Sequence, residues 1–484
     1  MQHDIEFVLD GKIQHISFSP SSEYKPTTTV LNYLRSLPNH KGIKEGCGEG
    51  DCGACTVVIA ELNSSKKIVY KTINACLVFL PMIHGKWLIT VENLTHIENN
   101  NIILHPVQKA LIKQNGSQCG YCTPGMIMSL FGLYKNYRHP SREIVESAME
   151  GNLCRCTGYQ SIMEAAQIVT DAEDNDHFSQ LEREIIPLLL QIQHTKTIIL
   201  TTNLQTYIKP FSLREALKLR AQNPDAIIVN GATDITLRQN KKKEILSKII
   251  DISSVREMKK IKEDKNNLFV GASVSIEQLK NYSSTSYTAL HKALTTFGSL
   301  QIRNVATIGG NIGSASPIGD ILPVLFAYKA SVKVVSQTNE RIIPIEDFIK
   351  GYRQNDLKEN ELISCIIIPK QKKNQRMQFY KISKRKNLDI STVSAGFELE
   401  LDNNMVKEII LSYGGIAACT RRATQTEHFL IGKQWNTENI STAMEILYHE
   451  FTPISDVRSG DEYRKLVTKN LLLKFYNETL TING

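Results

Sequence analysis

Cys47, Cys52 and Cys55 stand C-x4-C-x2-C in the stretch EGCGEGDCGACT, residues 45–56, and Cys76 follows in NACL. Thiolates at this spacing ligate a [2Fe–2S] cluster of the plant type, three from one loop and the fourth from a later segment. The glycines serve the same end. Three sulfurs from one short loop reach two adjacent irons only if the backbone wraps tightly, with φ > 0 where Gly permits it. Small residues also let backbone N–H groups point at the sulfurs and moderate the negative charge of the cluster. Gly48, Gly50 and Gly53 also satisfy G-x-G-x-x-G. That dinucleotide fingerprint needs a strand before it and a helix opening inside it, whereas here the β-branched run TVVIAEL predicts a strand afterwards. A disulfide knot would imply secretion, and MQHDIEFVLDGKIQ has no apolar core of signal-peptide length. Zinc loops favour two C-x2-C pairs, which this segment lacks.

Four more cysteines form a second set: Cys119 and Cys122 in SQCGYCTPG, Cys154 and Cys156 in GNLCRCTGY. They precede the second and fourth of four segments with helical periodicity: HPVQKALIKQ, TPGMIMSLFGLYKNY, SREIVESAME and TGYQSIMEAAQIVTD. Pro106 and Pro124 are expected at N1 positions, with Thr123 as an N-cap. A two-fold bundle brings the two cysteine-bearing helix N-termini together, where the dipoles favour a negatively charged thiolate cluster. Cys-x-Cys is too tight for an ordinary zinc knuckle, so the pattern predicts a second [2Fe–2S] cluster, with a four-cysteine zinc site as the alternative.

Two further loops are rich in small residues. AIIVNGATDI is a predicted strand running into Gly231 and Ala232, and FGSLQIRNVATIGGNIGSASPIGDILPVL gathers Gly298, Gly309, Gly310, Gly313 and Gly319. Two such loops at the ends of apolar strands suit a bulky anionic cofactor whose pyrophosphate backbone N–H groups approach closely. Neither carries a P-loop lysine or a Rossmann glycine triplet. One loop alone would read as a tight turn.

The elements that must position these residues divide the 484-residue chain. Residues 1–90 predict a β-grasp, plant-type ferredoxin domain with a hairpin at Asp10-Gly11 and an amphipathic helix in TTVLNYLRSL capped by Thr28 or Thr29. Residues 91–172 predict the all-helical cluster domain. The acidic, polar DAEDNDHFSQ opens a linker, 173–199, whose apolar EIIPLLLQI is expected to pack onto a neighbouring domain. Residues 200–375 alternate α and β, and 376–484 predict a small sheet with helices on it. The expected fold class is thus multidomain α+β. The ten cysteines without an export signal point to metal ligation in a reducing compartment, here the cytoplasm. No run approaches the roughly 20 apolar residues of a membrane span. The formal charge is +8, and two clusters of about −2 each would lower it to about +4; the basic residues are scattered, with no nucleic-acid footprint. Cys365 and Cys419 lie in apolar runs as small hydrophobes.

Taken in order, GCGEGDCGACTV, GSQCGYCTPGM, GNLCRCTGY, NVATIGGNIGSASPIGD and SDVRSGDEYR resemble the signatures of the iron–sulfur/flavin subunits of two-subunit bacterial xanthine dehydrogenases, in the molybdenum hydroxylase family. The resemblance implies a flavin domain of the vanillyl-alcohol-oxidase or p-cresol-methylhydroxylase (PCMH) type. FAD would be lined by Ile228, Val229, Asn230, Gly231, Ala232, Thr233, Asp234 and Ile235, and by Thr307, Ile308, Gly309, Gly310 and Asn311, with Phe297, Asp320, Ile363 and Lys381 also against it. Gln118 would face molybdopterin on a partner chain. Where relatives often read Gly-Gly-Thr, this chain has Gly231-Ala232-Thr233. Electrons from a molybdenum centre, oxidising hypoxanthine to xanthine to urate, would pass through both clusters to FAD and then to NAD+. NAD+ would stack near KRKNLDIS, with Lys384, Arg385 and Lys386 attracting its phosphates and Asp389 and Ile390 shaping the exposed flavin face. No residue of this chain would catalyse hydroxylation. The molybdopterin-binding large subunit would be a separate polypeptide in a dimer of heterodimers. An aldehyde- or nicotinate-type hydroxylase subunit and a redox sensor are the competing readings.

Overall fold

Asp10 and Gly11 take φ of 54° and 69°, the two positive values that a type I′ hairpin needs. They fold strand β1 (Asp4–Leu9) back on β2 (Lys12–Ser17) in antiparallel register. This is the start of a computed structural model that describes residues 3–171, 176–193 and 195–480. The described chain divides into two units. One comprises residues 1–216, 225–255 and 299–306, the other 217–224, 256–298 and 307–484.

In the first unit β3 (Thr56–Leu62), β4 (Ile68–Asn74) and β5 (Trp87–Ile89) complete a five-stranded sheet of order β2-β1-β5-β3-β4. Helix α1 (Val30–Ser36), capped by the Thr29 hydroxyl on the N–H of Asn32, buries Val30, Leu31, Tyr33 and Leu34. This is the expected β-grasp. Its hairpin turn is tied down from behind. The Asp10 carboxylate accepts hydrogen bonds from His40 Nε2 at 3.0 Å and Asn93 Nδ2 at 2.6 Å. His40 is buried. Burial disfavours its charge, but the hydrogen bond to Asp10 and the Glu92 carboxylate 3.8 Å away outweigh that and raise it to about 9. A group raised on folding stabilises fully below its unfolded value, and the gain is lost as pH rises through the folded value. A His40→Gln chain should therefore melt below the parent by on the order of 2 kcal/mol near pH 6, and the two should converge above about pH 9. Paired melts across that range check this; a gap independent of pH would refute it.

Four helices follow: α2 (Pro106–Lys113), α3 (Thr123–Asn136), α4 (Arg142–Met149) and α5 (Gln160–Asp171). Pro106 occupies N1 as expected. In α3 the cap is Cys122, not Thr123, so Pro124 falls one position inside N1. Cys122 forms no side-chain cap hydrogen bond. Of the segment read as a linker, residues 172–175 lie outside the described residues. Beyond them α6 (Phe178–Gln191), with Pro187 inside it, buries Phe178, Ile185 and Leu189 in a core shared with Trp87, Phe131 and Leu130. The unit ends in a four-stranded sheet of Ile227–Val229, Lys248–Asp251, Thr206–Lys209 and Ile198–Thr201, in that order.

The second unit is built on two larger antiparallel sheets, beside the short pair Ile349–Gly351 and Gln354–Asn355. One runs Ile261–Glu263, Asn267–Gly271, Leu362–Pro369, Ser331–Val335, Glu340–Pro344. The other is built on the long strands Gln375–Ile382, Val393–Asp402 and Met405–Gly414. Alternate residues of its middle strand, Val393, Ala395, Phe397 and Leu399, join a core with Leu447, Leu472 and Phe475 from the C-terminal helices. Among the described residues no helix is long and apolar enough to cross a membrane.

Candidate functional site: two thiol clusters and the flavin segments

The loop after α1 wraps with φ of 66°, 85° and 66° at Gly48, Gly50 and Gly53, values that L side chains rarely adopt. Its turns aim the N–H groups of Glu49 and Asp51 at Cys47 Sγ, at 3.4 and 3.3 Å. A hydrogen bond from the Cys52 thiol draws Cys47 down to about 5 against the cost of burial, with those N–H groups helping. Cys52 is pushed up in turn. Cys76, in the single turn Ala75–Leu77 after β4, is raised by the neighbouring Cys55 and by burial, and also senses Cys47. Four thiols and two N–H···S contacts form the donor set that a [2Fe–2S] cluster takes.

The second set converges likewise. Cys119 and Cys156 lie 3.6 Å apart between sulfurs, and Cys122 is hydrogen-bonded to Cys154. The Thr157 hydroxyl donates to Cys154 Sγ at 3.2 Å; burial opposes ionisation, but that bond together with the N–H groups of Thr157 and Cys156 brings Cys154 to about 7. Cys119 and Cys156 are exposed, and Tyr121, Leu153 and Tyr159 present large apolar surfaces near them in sequence.

The two loops touch through backbone. The Leu153 N–H, beside Cys154, donates to the carbonyl of Cys52 at 3.0 Å. A Cβ on Gly125, three residues after Cys122, would lie 2.2 Å from the Gly53 carbonyl oxygen. Asn152 closes the seam, donating to Gly53 O at 3.1 Å and accepting from Ser129 and Gln301 at 2.6 and 2.8 Å. Gln301 comes from the segment Ser299–Ala306, which also supplies Arg303, paired with Glu150 at 2.8 Å. Nothing in the spacing of these residues marked them.

The segments expected to line FAD fall in both units. In the first, Ile228 and Val229 end a strand; Asn230, Gly231 and Ala232 turn the chain; Thr233 and Asp234 lead into the helix Ile235–Asn240. Gly231 packs so closely that a Cβ would meet the Val305 carbonyl at 2.1 Å. Ala232 sits at φ 61°, a conformation that costs a non-glycine residue about 1–2 kcal/mol. In the second unit Thr307 caps the helix Ile308–Gly313, its hydroxyl accepting from the Gly310 N–H at 3.1 Å. Gly309 is pressed on Ala272, whereas a Cβ on Gly310 would meet nothing but Thr307 Oγ1. Asn311 Oδ1 is buried without a hydrogen-bond partner, as expected of a group awaiting a ligand. Ile363 is buried beside Gly313. Asp320 and Lys381, ion-paired at 2.8 Å and both buried, form a network with Ser391, whose hydroxyl donates to Asp320, and with the Thr296 carbonyl next to Phe297. Within the second unit the open face of Gly310 fits close approach of an anionic group, and the Asn311 amide oxygen, an acceptor, fits a ligand N–H or O–H.

Arg385 of the basic triplet is bound to Asp389 at 2.7 Å, and Ile390 is exposed. In SDVRSGDEYR, Asp456 pairs with the buried Arg464, which donates to the carbonyls of Thr392 and Gly415. That signature therefore pins the strand end that follows KRKNLDIS.

Comparison with known proteins agrees with this layout. Family models match for a 2Fe-2S iron-sulfur cluster binding domain over residues 21–80 and a [2Fe-2S] binding domain over 90–167. Further matches are an FAD binding domain in molybdopterin dehydrogenase over 201–371 and a CO dehydrogenase flavoprotein C-terminal domain over 378–479. The fold and its sites thus define an iron–sulfur flavoprotein that transfers electrons. Together the four domains match those of the small iron–sulfur/FAD subunit of the molybdenum hydroxylase family. Xanthine dehydrogenase 1 of Arabidopsis thaliana is 31% identical over 93% of this chain, and the xanthine dehydrogenase of Calliphora vicina 32% over 97%. This chain spans 38% of the length of either. A carbon monoxide dehydrogenase of Hydrogenophaga pseudoflava aligns with TM-score 0.53 at 23% identity, covering 55% of this chain and 93% of its own. Quinoline 2-oxidoreductase of Pseudomonas putida 86 aligns with TM-score 0.52 at 24% identity, covering 56% and 96%. These two likenesses concern the fold.

Proposed function

We propose that this chain is the electron-transfer part of a xanthine dehydrogenase. Substrate is hydroxylated on a molybdopterin-binding partner, and the electrons released pass through this chain to NAD+. Clusters move electrons singly, while a flavin gathers two and passes a hydride. One observation carries the reading: the Cys52 carbonyl is hydrogen-bonded to the N–H next to Cys154, so the two cluster loops share a backbone contact. Cys119 and Cys156 are exposed, with Tyr121, Leu153 and Tyr159 close by in sequence, which supports this end, including Gln118, as the partner's docking face. Cys47, Cys52, Cys55 and Cys76 hold one cluster; Cys119, Cys122, Cys154 and Cys156 hold the other. FAD takes the 228–235 and 307–311 segments with Phe297, Asp320, Ile363 and Lys381. The free cysteines suit the cytoplasm. The 30–32% identity to xanthine dehydrogenases favours xanthine over other substrates of the family.

The test is a two-way assay on the chain expressed without a partner. NADH should reduce an artificial dye, and xanthine should not be oxidised. Xanthine oxidation by the lone chain would overturn the division of labour. Failure of NADH to reduce a chain loaded with iron and flavin would point to another acceptor.

A further inference from the structure

Two side chains outside the ligand set hold the first cluster loop by its backbone. Asn240 ends the helix Ile235–Asn240. Its Nδ2 donates to the carbonyls of Gly48 and Cys76, each at 2.9 Å. It thereby ties the loop carrying three of the thiols to the segment carrying the fourth. Lys241 follows, its Nζ donating to the Cys47 carbonyl at 2.6 Å and lying 3.2 Å from Glu49 Oε2. Both residues border a cleft of 640 Å³ that reaches Cys47 and Cys76.

We propose that Asn240 and Lys241 are positioning residues that raise the reduction potential of the cluster held by Cys47, Cys52, Cys55 and Cys76. The inference rests on the reading that this cluster carries electrons. An oxidised [2Fe–2S] cluster with four thiolates is already negative, and one more electron adds to that charge. An ammonium and two amide N–H dipoles set on the ligands' own carbonyls favour the more negative state. Glu49 opposes this, but it is paired to Lys241. Without the lysine, both the carboxylate and the Cys47 carbonyl face the cluster uncompensated. A higher potential at this cluster draws electrons inward from the exposed Cys119/Cys156 end. No sequence pattern flags the two residues, because they lie more than 160 positions from the groups they hold.

The experiment is an EPR-monitored redox titration of the full chain loaded with iron. Lys241→Gln and Asn240→Ala should each lower the midpoint of one of two [2Fe–2S] signals and leave the other in place. For Lys241→Gln the expected change is about threefold in the reduction equilibrium, or about 28 mV at 59 mV per tenfold. Lys241→Arg should stay near the parent. Raising the ionic strength should shrink the Lys241 effect, because its ammonium is partly exposed and exposed charge is screened. Lys241 is outside the ligand set and its side chain is 45% exposed, so its variant keeps the cluster even if Asn240→Ala loses it. Parent midpoints for both signals in Lys241→Gln, or equal shifts of both, would overturn the inference. Absence of [2Fe–2S] signals from the parent would overturn the cluster reading itself, a distinct outcome.

Discussion

A Gly310→Val chain is expected to purify with its full iron and almost no flavin. The structure singles out this glycine among its neighbours. A side chain on Gly231 would drive into the Val305 carbonyl at 2.1 Å, and one on Gly309 into Ala272 at 2.5 Å, so those variants would test the fold. On Gly310 the added Cβ meets only Thr307 Oγ1, at 3.0 Å, and the helix backbone there accepts an L residue. What the valine obstructs is therefore the approach of a ligand to the N–H groups that begin this helix. A clash there that a rigid pyrophosphate cannot avoid should lower occupancy at least tenfold, about 1.4 kcal/mol. The ratio of flavin to iron in the purified protein measures it. Full flavin in Gly310→Val, with a normal melt, would remove this segment from the site.

Gly125→Val should fail in the opposite way, through the protein and not the ligand. Its Cβ would sit 2.2 Å from the Gly53 carbonyl oxygen and 3.3 Å from the Ala54 Cα. Backbone on that side cannot rotate clear, so the N-terminus of α3 must part from the first cluster loop. Overpacking of this kind costs about 3 kcal/mol at the upper end of its usual range, a large part of the 5–15 kcal/mol that typically holds a domain together. The expected result is a lower melting temperature, with slow or absent electron exchange between the two clusters in rapid-mixing experiments. Gly158→Ala is the control. Unlike the helical Gly125 it has a positive φ, 66°, but open space around it, so it should cost only about 1 kcal/mol, from backbone strain and not from a clash. A Gly125→Val protein with a parental melt and undisturbed exchange would deny that this contact joins the two loops.

The chemistry of the chain was readable without coordinates wherever ligand geometry is local. Cysteine spacing, the glycines that let a loop wrap, and the 3.6-residue period of the helices are set by neighbours a few positions apart. Even there one detail moved: Cys122, not Thr123, caps α3.

Other features depend on distance along the chain. Asp320 and Lys381 belong to residue types usually found at the surface, yet 61 positions apart they form a buried pair with Ser391. Ser299–Ala306 is read in sequence as part of one glycine-rich stretch, but it packs in the first unit, where Gln301 and Arg303 brace the second cluster domain. The linker reading missed α6, because the acidic residues before it hide an amphipathic helix whose partner, Trp87, lies on a distant strand. The sequence by itself therefore determined which groups can bind iron and what backbone freedom they need, since a metal imposes its own spacing on nearby ligands. Only the tertiary structure decided which remote side chains steady those groups and where the two cluster loops meet. A hydrogen bond or a close backbone contact leaves no periodic mark on residues a hundred positions apart.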